Sequence, residues 1–396
     1  MEYPKQNVFC YRLAQAIGIT VSVLFFRRKW LRNEIKGVKG PYVVIANHQA
    51  QFDFVNLIGA TCRPLSFVIS HAFYSTLPIR KFLDRMGVIP KQQFQTALSD
   101  MKRIKSVLDD GRPVVIYPAG LMCEDGVSTP IPQATYKFLK WLGVDVYMAR
   151  TVGAYFVQPK WGKGLRAGRT YMDIYKLFDQ QELAALSLDE IKARTDDALL
   201  FDAYREQDAC RLRYRGNDLV GLQNVLYQCP VCKQEFTVSL RNKRTLGCDA
   251  CGFTAEADEY GLFDGEWRYV SDWSQAIRDE VKRQIASGEL TAWSVETVFR
   301  MVDPRKNKFV DVGNGTLTLT ADGFRLQGEL GGEPLDKRVA IGGIPTLPFA
   351  PGKYLDIQEG KTIYRCVPKD GRQVMKAIRM VQAYYELNTK EKQVTG

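Results

Sequence analysis

The sequence predicts an α/β domain with a mixed, largely parallel sheet, then a small cysteine-bearing module, then a β-rich C-terminal domain. Three observations carry this. Through roughly the first 180 residues, short runs of β-formers alternate with segments of helical period, the pattern of a parallel sheet. Two Cys-x-x-Cys pairs interrupt the pattern at 229–232 and 248–251. Beyond residue 290, alternating strands with Gly and Pro turns are closed by one helix. At 396 residues, 45% of them hydrophobic, the chain exceeds one compact core, so two or three domains are expected. The expected divisions are an N-terminal helix with a basic patch (1–40), the α/β domain (41–180), a helical linker (181–226), the cysteine module (227–256) and the β-rich domain with its terminal helix (290–396).

Each element has its own signal. PYVVIA (41–46) is a short buried strand, and DFVNLIGAT (53–61) a helix opened by Asp53 as capping residue. PLSFVIS (64–70) is a strand. FQTALSDMKRIKSVLDDG (94–111) puts Leu98, Met101, Ile104 and Leu108 at helical spacing, with Gly111 as its stop. PVVIYPAG (113–120) is a strand ending in a Pro/Gly turn. A helix over 134–143 and strands over 144–155 and 168–178 complete the domain. Residues 180–226 read as helical, with Ser187–Glu190 a capping box. TLTLTADGFRLQGEL (316–330) reads as a hairpin around Asp322-Gly323, and 372–388 as the closing helix.

Charged residues make up 25% of the chain, which fits folded protein, and the net charge of +11 favours an anionic partner. Nucleic acid, an anionic membrane surface and a phosphorylated substrate all satisfy that charge. The nine cysteines, an odd number with paired Cys-x-x-Cys spacing, argue for reduced thiols and a metal, hence the cytosolic side. Residues 8–26 are mostly apolar but interrupted by Arg12 and Gln15, and RRKWLR follows at once. A secretory signal has the reverse order of charge and apolar run. The expectation is a helix lying in a bilayer face. Arg27, Arg28, Lys29 and Arg32 would meet anionic head groups, and Trp30 would sit at the interface. An ordinary helix buried against the first domain is the alternative.

The chain has two histidines, His48 and His71. His48 ends the apolar run VVIANH, and Asp53 follows five residues later. Positions five apart on a helix lie about 140° apart, so the two meet only through a strand end, a loop and a helix start. An imidazole held by a carboxylate keeps one tautomer, and its other nitrogen can take a hydroxyl proton. A structural histidine beside a capping aspartate is the alternative. His71 lacks a carboxylate at useful spacing and reads as structural.

Residues 47–53, Asn-His then four residues then Asp, resemble the NHxxxxD box of the glycerolipid acyltransferases. MGVIPK (86–91) resembles that family's second box, YPAGLMCEDG (117–126) its third, and GAYFVQPKWG (153–162) its fourth. The resemblance spans about residues 10–180. It implies acyl transfer from acyl-CoA or acyl carrier protein to a hydroxyl of a lyso-glycerolipid, 1-acylglycerol-3-phosphate or a related acceptor. His48 would be general base and Asp53 its orienting carboxylate. Backbone N–H groups near the Asp53 helix would face the developing oxyanion. Asn47, Lys91, Tyr117, Pro118 and Gly120 would bind substrate, with Lys91 matching the basic residue of the second box. The third box departs from the family: Ala119 stands for its glutamate, and Leu121-Met122 for its Thr-Arg. That removes a bidentate phosphate clamp. An altered acceptor, a phosphate site from Arg80 and Lys81, or a weakened enzyme would each account for it, with Glu124 or Asp125 candidates for the glutamate's space.

CPVC and CDAC are separated by 15 residues. Two Cys-x-x-Cys turns supply four soft ligands, so Cys229, Cys232, Cys248 and Cys251 are expected to bind structural zinc in a ribbon. LRNKR (240–244) between the pairs admits nucleic-acid binding, but basic-aromatic interleaving is lacking, so nucleic acid is not the expected partner. The C-terminal strands and helix resemble a pleckstrin-homology-like barrel, with a generic β scaffold as alternative. The rivals to the enzyme are a lipid-binding protein of the same fold that lost catalysis and a zinc-ribbon nucleic-acid binder.

Overall fold

The computed structural model describes residues 6–93, 97–216, 218–341, 343–360 and 362–394. Its contacts divide the chain into two compact units, residues 1–160 with 164–217, and residues 161–163 with 218–396. The N-terminal helix and the helices between residues 180 and 210 therefore fold within the first unit.

That unit is built on seven strands: β1 (Lys29–Asn33), β2 (Tyr42–Ala46), β3 (Ser66–Ser70), β4 (Ile89–Lys91), β5 (Val114–Ile116), β6 (Asp145–Val152) and β7 (Tyr171–Phe178). Their order is β1-β7-β6-β2-β5-β3-β4. β2 to β6 are mutually parallel, while β7 runs antiparallel to β6 and parallel to β1. The sheet is thus mixed and largely parallel, as expected. β2 is buried at all five positions, which is why it reads as an unbroken apolar run: helices cover both faces of a parallel sheet. Ile104, Val107, Leu108, Leu139 and Ile191 pack on one face. Tyr11, Leu57, Ile58 and Met86 pack on the other.

Several boundaries differ from expectation for identifiable reasons. RRKWLR does not stay outside the domain, because Lys29–Asn33 adds β1 beside β7. Arg28 is drawn inward: its guanidinium donates to the Asn56 carbonyl at 2.6 Å and lies 4.4 Å from the Trp30 ring centre. Burial lowers its pKa. Arg32 makes a bidentate pair with Asp173 at 2.8 and 2.9 Å. Of the four expected head-group contacts, Arg27, Lys29 and Arg32 stay exposed, Arg32 while paired with Asp173. The strand expected over 144–155 ends at Val152, because Gly153 takes φ +86° and a short helix, Ala154–Val157, follows. The helix expected from 94 runs Leu98–Asp109, and Gly111 at φ +76° stops it; residues 94–96 lie outside the described residues. After residue 180 come helices Gln180–Ala185, Leu188–Leu199 and Ala203–Cys210, and the Ser187–Glu190 capping box is present.

Helix α1 (Val8–Val21) continues as a π-helical turn, Ser22–Phe26. Its protein-facing stripe is Tyr11, Gln15, Gly18 and Ser22, mostly polar or small. Gln15 donates to the carbonyls of Ile58 and Thr61, and Ser22 donates to Asn56. A Cβ on Gly18 would come within 2.7 Å of Ile58 Cγ2, so only glycine allows this approach. The outward face carries Phe9 (78% exposed), Leu13 (49%), Ile17 (58%) and Leu24 (60%). The helix is amphipathic the wrong way round for a helix that meets only water.

The second unit holds the cysteine module, a helix (Val270–Ala286) and a second sheet. In the module, β8 (Val238–Asn242), β9 (Thr245–Cys248) and β10 (Thr254–Glu256) form an antiparallel sheet. The second sheet comprises β11 (Ala292–Asp303), β12 (Lys308–Thr320), β13 (Gly323–Leu330), β14 (Glu333–Val339), β15 (Phe349–Ala350), β16 (Tyr354–Glu359) and β17 (Thr362–Pro368). All neighbours are antiparallel, in the order β14-β13-β12-β11-β17-β16-β15. The expected hairpin is β12–β13, closing with Thr320 opposite Gly323. The terminal helix runs Gln373–Val394.

Candidate active site

β2 ends at Ala46, and a loop leads to helix α2 (Asp53–Leu57). Within that turn His48 and Asp53 meet, with Nδ1 to Oδ2 at 3.1 Å. The same carboxylate oxygen accepts the backbone N–H groups of Gln49 (2.7 Å) and Ala50 (2.9 Å). Asp53 is 1% exposed, while the His48 side chain keeps 19% exposure. Two fixed donors thus pin the carboxylate, and the carboxylate pins the ring. With Nδ1 donating to Asp53, Nε2 is left as the basic nitrogen.

Asp53 does not cap α2. Phe52 holds the cap position without a side-chain bond, and α2 stops at Leu57. The carboxylate turns back into the loop because three donors there claim it. The nearby N–H groups are also committed. Those of Gln49, Ala50, Phe52, Asp53 and Val55 all donate to protein acceptors, so these five do not face an oxyanion.

Distant segments brace the turn. Asn47 forms a double bridge to Thr151 on β6, donating to its carbonyl and accepting from its N–H, both at 2.8 Å. Both polar ends of Asn47 are therefore taken by backbone. Gln49 Oε1 accepts the Tyr155 N–H at 3.2 Å, and Gln158 Oε1 accepts the Phe52 N–H at 3.2 Å. Cys123 N–H donates to the His48 carbonyl at 3.1 Å. The Tyr117 ring lies 4.4 Å from the His48 ring, and burial pushes its phenol well above its ordinary pKa. Pro118 is buried in the turn that follows, and Gly120 takes φ +69° there.

A pocket opens beside His48. Its wall is formed by Ala119, Leu121, Ile131, Leu199 and Phe201, with Ala46, Asn47 and the hydroxyl-bearing Ser128 and Thr129 completing it. The far wall is assembled by pairing of two remote segments: Ser128 N–H donates to the Phe201 carbonyl at 3.1 Å, and Ala203 N–H to the Gly126 carbonyl at 2.7 Å.

Residues 24–163 match the model of the Acyltransferase family. This stretch is an acyltransferase domain. It contains all four motif segments. No curated protein matches the chain. Among solved structures, the 1-acyl-sn-glycerophosphate (LPA) acyltransferase PlsC from Thermotoga maritima is similar over 48% of this chain and 76% of its own, at 16% identity and TM-score 0.41. The Ran binding domain of the nuclear complex component Nup2 from Ashbya gossypii is similar over 24% of this chain and 94% of its own, at 17% identity and TM-score 0.19.

Within the acyltransferase domain, the expected substrate residues do not all converge. Lys91 ends β4 at the sheet edge and is absent from the pocket wall. Its ammonium donates to the Gln92 carbonyl at 3.0 Å, and burial lowers its pKa against the pull of Asp100. Gln93 links its segment to the third box through the Gly120 carbonyl. Glu124 and Asp125 are buried, 4% and 0% exposed, yet neither lines the pocket. Arg80 and Lys81 lie in the first turn of helix Arg80–Met86, also off the wall. His71 opens a short helix near the surface, with Ser75 its side-chain neighbour at 3.4 Å. Leu199, Phe201, Ser128, Thr129 and Ile131 escaped the sequence reading, because nothing in local pattern links them to residue 48.

In the other unit the four expected ligands converge. The Sγ atoms of Cys229, Cys232, Cys248 and Cys251 lie within 4.8 Å of one another, with Cys229–Cys251 and Cys232–Cys248 both at 3.7 Å. A zinc–sulfur bond of about 2.3 Å implies tetrahedral edges of about 3.8 Å, so the set fits the ion. Each pair is followed by a left-handed residue, Lys233 at φ +62° and Gly252 at φ +75°, which turns the chain around the sulfurs. Thr237 Oγ1 lies 3.3 Å from Cys248 Sγ.

Proposed function

We propose that the protein is a membrane-associated O-acyltransferase. It moves a fatty acyl group from acyl-CoA or acyl carrier protein to a hydroxyl of a lyso-glycerolipid, 1-acylglycerol-3-phosphate or a related acceptor. The observation that carries this is the His48–Asp53 pair, held by two backbone donors inside a family-matched domain and opening on a pocket. Nε2 takes the acceptor hydroxyl's proton as the oxygen attacks the thioester carbonyl. The tetrahedral intermediate collapses, the carbon–sulfur bond breaks, and the imidazolium returns the proton to the thiolate. The products are an ester and a free thiol. Asp53 fixes the tautomer and stabilises the imidazolium. Asn47, Gln49 and Gln158 act as positioning residues.

The inverted α1 supports a bilayer location, peripheral or monotopic, and the reduced-thiol reading of the cysteines assigns it to the cytoplasmic face. Each large apolar side chain fully removed from water contributes about 1.5–3 kcal/mol, so Phe9, Leu13, Ile17 and Leu24 together favour insertion. Arg27 and Lys29 add attraction to anionic lipid. Flotation of the full chain with anionic vesicles tests this. Wild type should float, and Phe9→Ser/Leu13→Ser/Ile17→Ser should lose at least about tenfold in partitioning, since these side chains contribute little to the protein core. Equal flotation of both proteins would refute the placement.

The zinc cluster is read as structural, because four protein sulfurs leave no open ligand position. The seven antiparallel strands with a closing helix are read as a pleckstrin-homology-like barrel from their order alone. The nucleic-acid rival is weakened by the commitments of its basic segment: Arg241 pairs with Asp249 at 2.7 Å, and Arg244 donates to the Ala257 carbonyl. Thiol release from acyl-CoA, and from acyl-carrier protein, tests the enzyme reading. Release should require a lyso-lipid. None with any acceptor from either donor would favour a lipid-binding protein that lost catalysis.

A further inference from the structure

The wall beside His48 carries information about the acceptor. Apart from His48, its side chains are apolar, hydroxyl-bearing or, at Asn47, an amide already bonded to Thr151. Among the described residues, no Lys, Arg, Asp or Glu lines it. Nearby cations from the motif segments point at backbone: Lys91 to the Gln92 carbonyl, and Lys160 to the Met122 carbonyl at 3.2 Å. Acidic groups lie close by as well. Cys123, one backbone bond from His48, sits in the field of Asp125, Glu124 and Asp53, which add to burial in raising its thiol pKa.

A phosphomonoester brings a charge of about −1.5 to −2 at neutral pH and needs cations or several aimed donors when desolvated. This wall offers neither. A neutral alcohol needs one proton acceptor and apolar surroundings, and the site has both: the basic nitrogen of His48, and Leu121, Ile131, Leu199 and Phe201. We infer that the acyl acceptor is an uncharged lyso-glycerolipid, of the monoacylglycerol type, whose hydroxyl reaches His48 against this wall. The inference rests on the acyl-transfer reading and narrows its acceptor class.

The test is an acceptor panel with the full-length protein: monoacylglycerol, a long-chain alcohol and lysophosphatidate of matched chain length, at equal mole fraction in neutral micelles. Thiol release is followed for wild type, His48→Ala and Leu121→Arg, with both donor types. The expected result is His48-dependent release at least about tenfold faster with a neutral acceptor than with lysophosphatidate. Leu121→Arg, which restores a cation to the wall, should cut that preference by about tenfold. Equal rates, or a preference for lysophosphatidate in wild type, would overturn the inference and leave acyl transfer standing. A neutral preference unchanged by Leu121→Arg would overturn its assignment to this pocket. Absence of His48-dependent release with every acceptor would overturn the acyl-transfer reading itself, and the inference with it.

Discussion

His48→Ala should reduce turnover by about 10²–10⁴-fold while the protein stays folded, the range expected for losing a positioned general base. Stability should change by no more than about 1 kcal/mol. The Asp53 carboxylate keeps its bonds from Gln49 and Ala50, so removing the ring does not strand a buried charge. Asp53→Asn is the sharper companion. An asparagine whose oxygen takes the place of Oδ2 keeps the two backbone N–H bonds and still accepts from Nδ1. The ring then keeps its position, but the negative charge that stabilises the imidazolium is gone. Turnover should fall with little change in KM. Rates with a thioester donor, alongside thermal melts, measure both effects. Near-normal activity in His48→Ala would remove the base assignment.

The purified chain should carry about one zinc ion, and removing it should unfold the second unit. Structural zinc in small modules contributes on the order of 10 kcal/mol, comparable to the whole stability of a domain. The loss should spread beyond the cysteines. The indole of fully buried Trp273 donates to the Gln228 carbonyl at 2.8 Å and packs edge-on against Phe253. Lys376 of the terminal helix pairs with Glu235, and Arg372, just before that helix, donates to the Phe236 carbonyl. The module, the helix Val270–Ala286 and the terminal helix therefore share one core. Metal analysis and hydrogen exchange across residues 229–388, for the native protein and Cys248→Ser, check this. Unchanged protection over Trp273 and the terminal helix in a metal-free variant would show that the metal does not hold this core.

Legibility in the sequence followed the range of the interactions. β2 and the Cys-x-x-Cys turns are short-range patterns, and their positions could be read from residue type and spacing. Asp53 shows the limit. Its position before a helical run suggested a cap, yet the loop N–H groups and His48 compete for the same oxygen and win. Arg28 and Arg32 show another. Their charge suggested a membrane face, but Asn56 draws Arg28 inward and Asp173 pairs with Arg32 at the surface, both partners distant in the chain.

By itself, the sequence determined the α/β alternation, the His-Asp spacing that demands a turn, and four sulfurs set for one ion. These depend on period, covalent reach and ligand chemistry, all local quantities. Only the tertiary structure decided which face of α1 is apolar outward, which N–H groups are already committed, and that Leu199 and Phe201 wall the pocket beside His48. Those outcomes depend on packing between segments far apart in the chain, where many partners are chemically acceptable and the fold selects one.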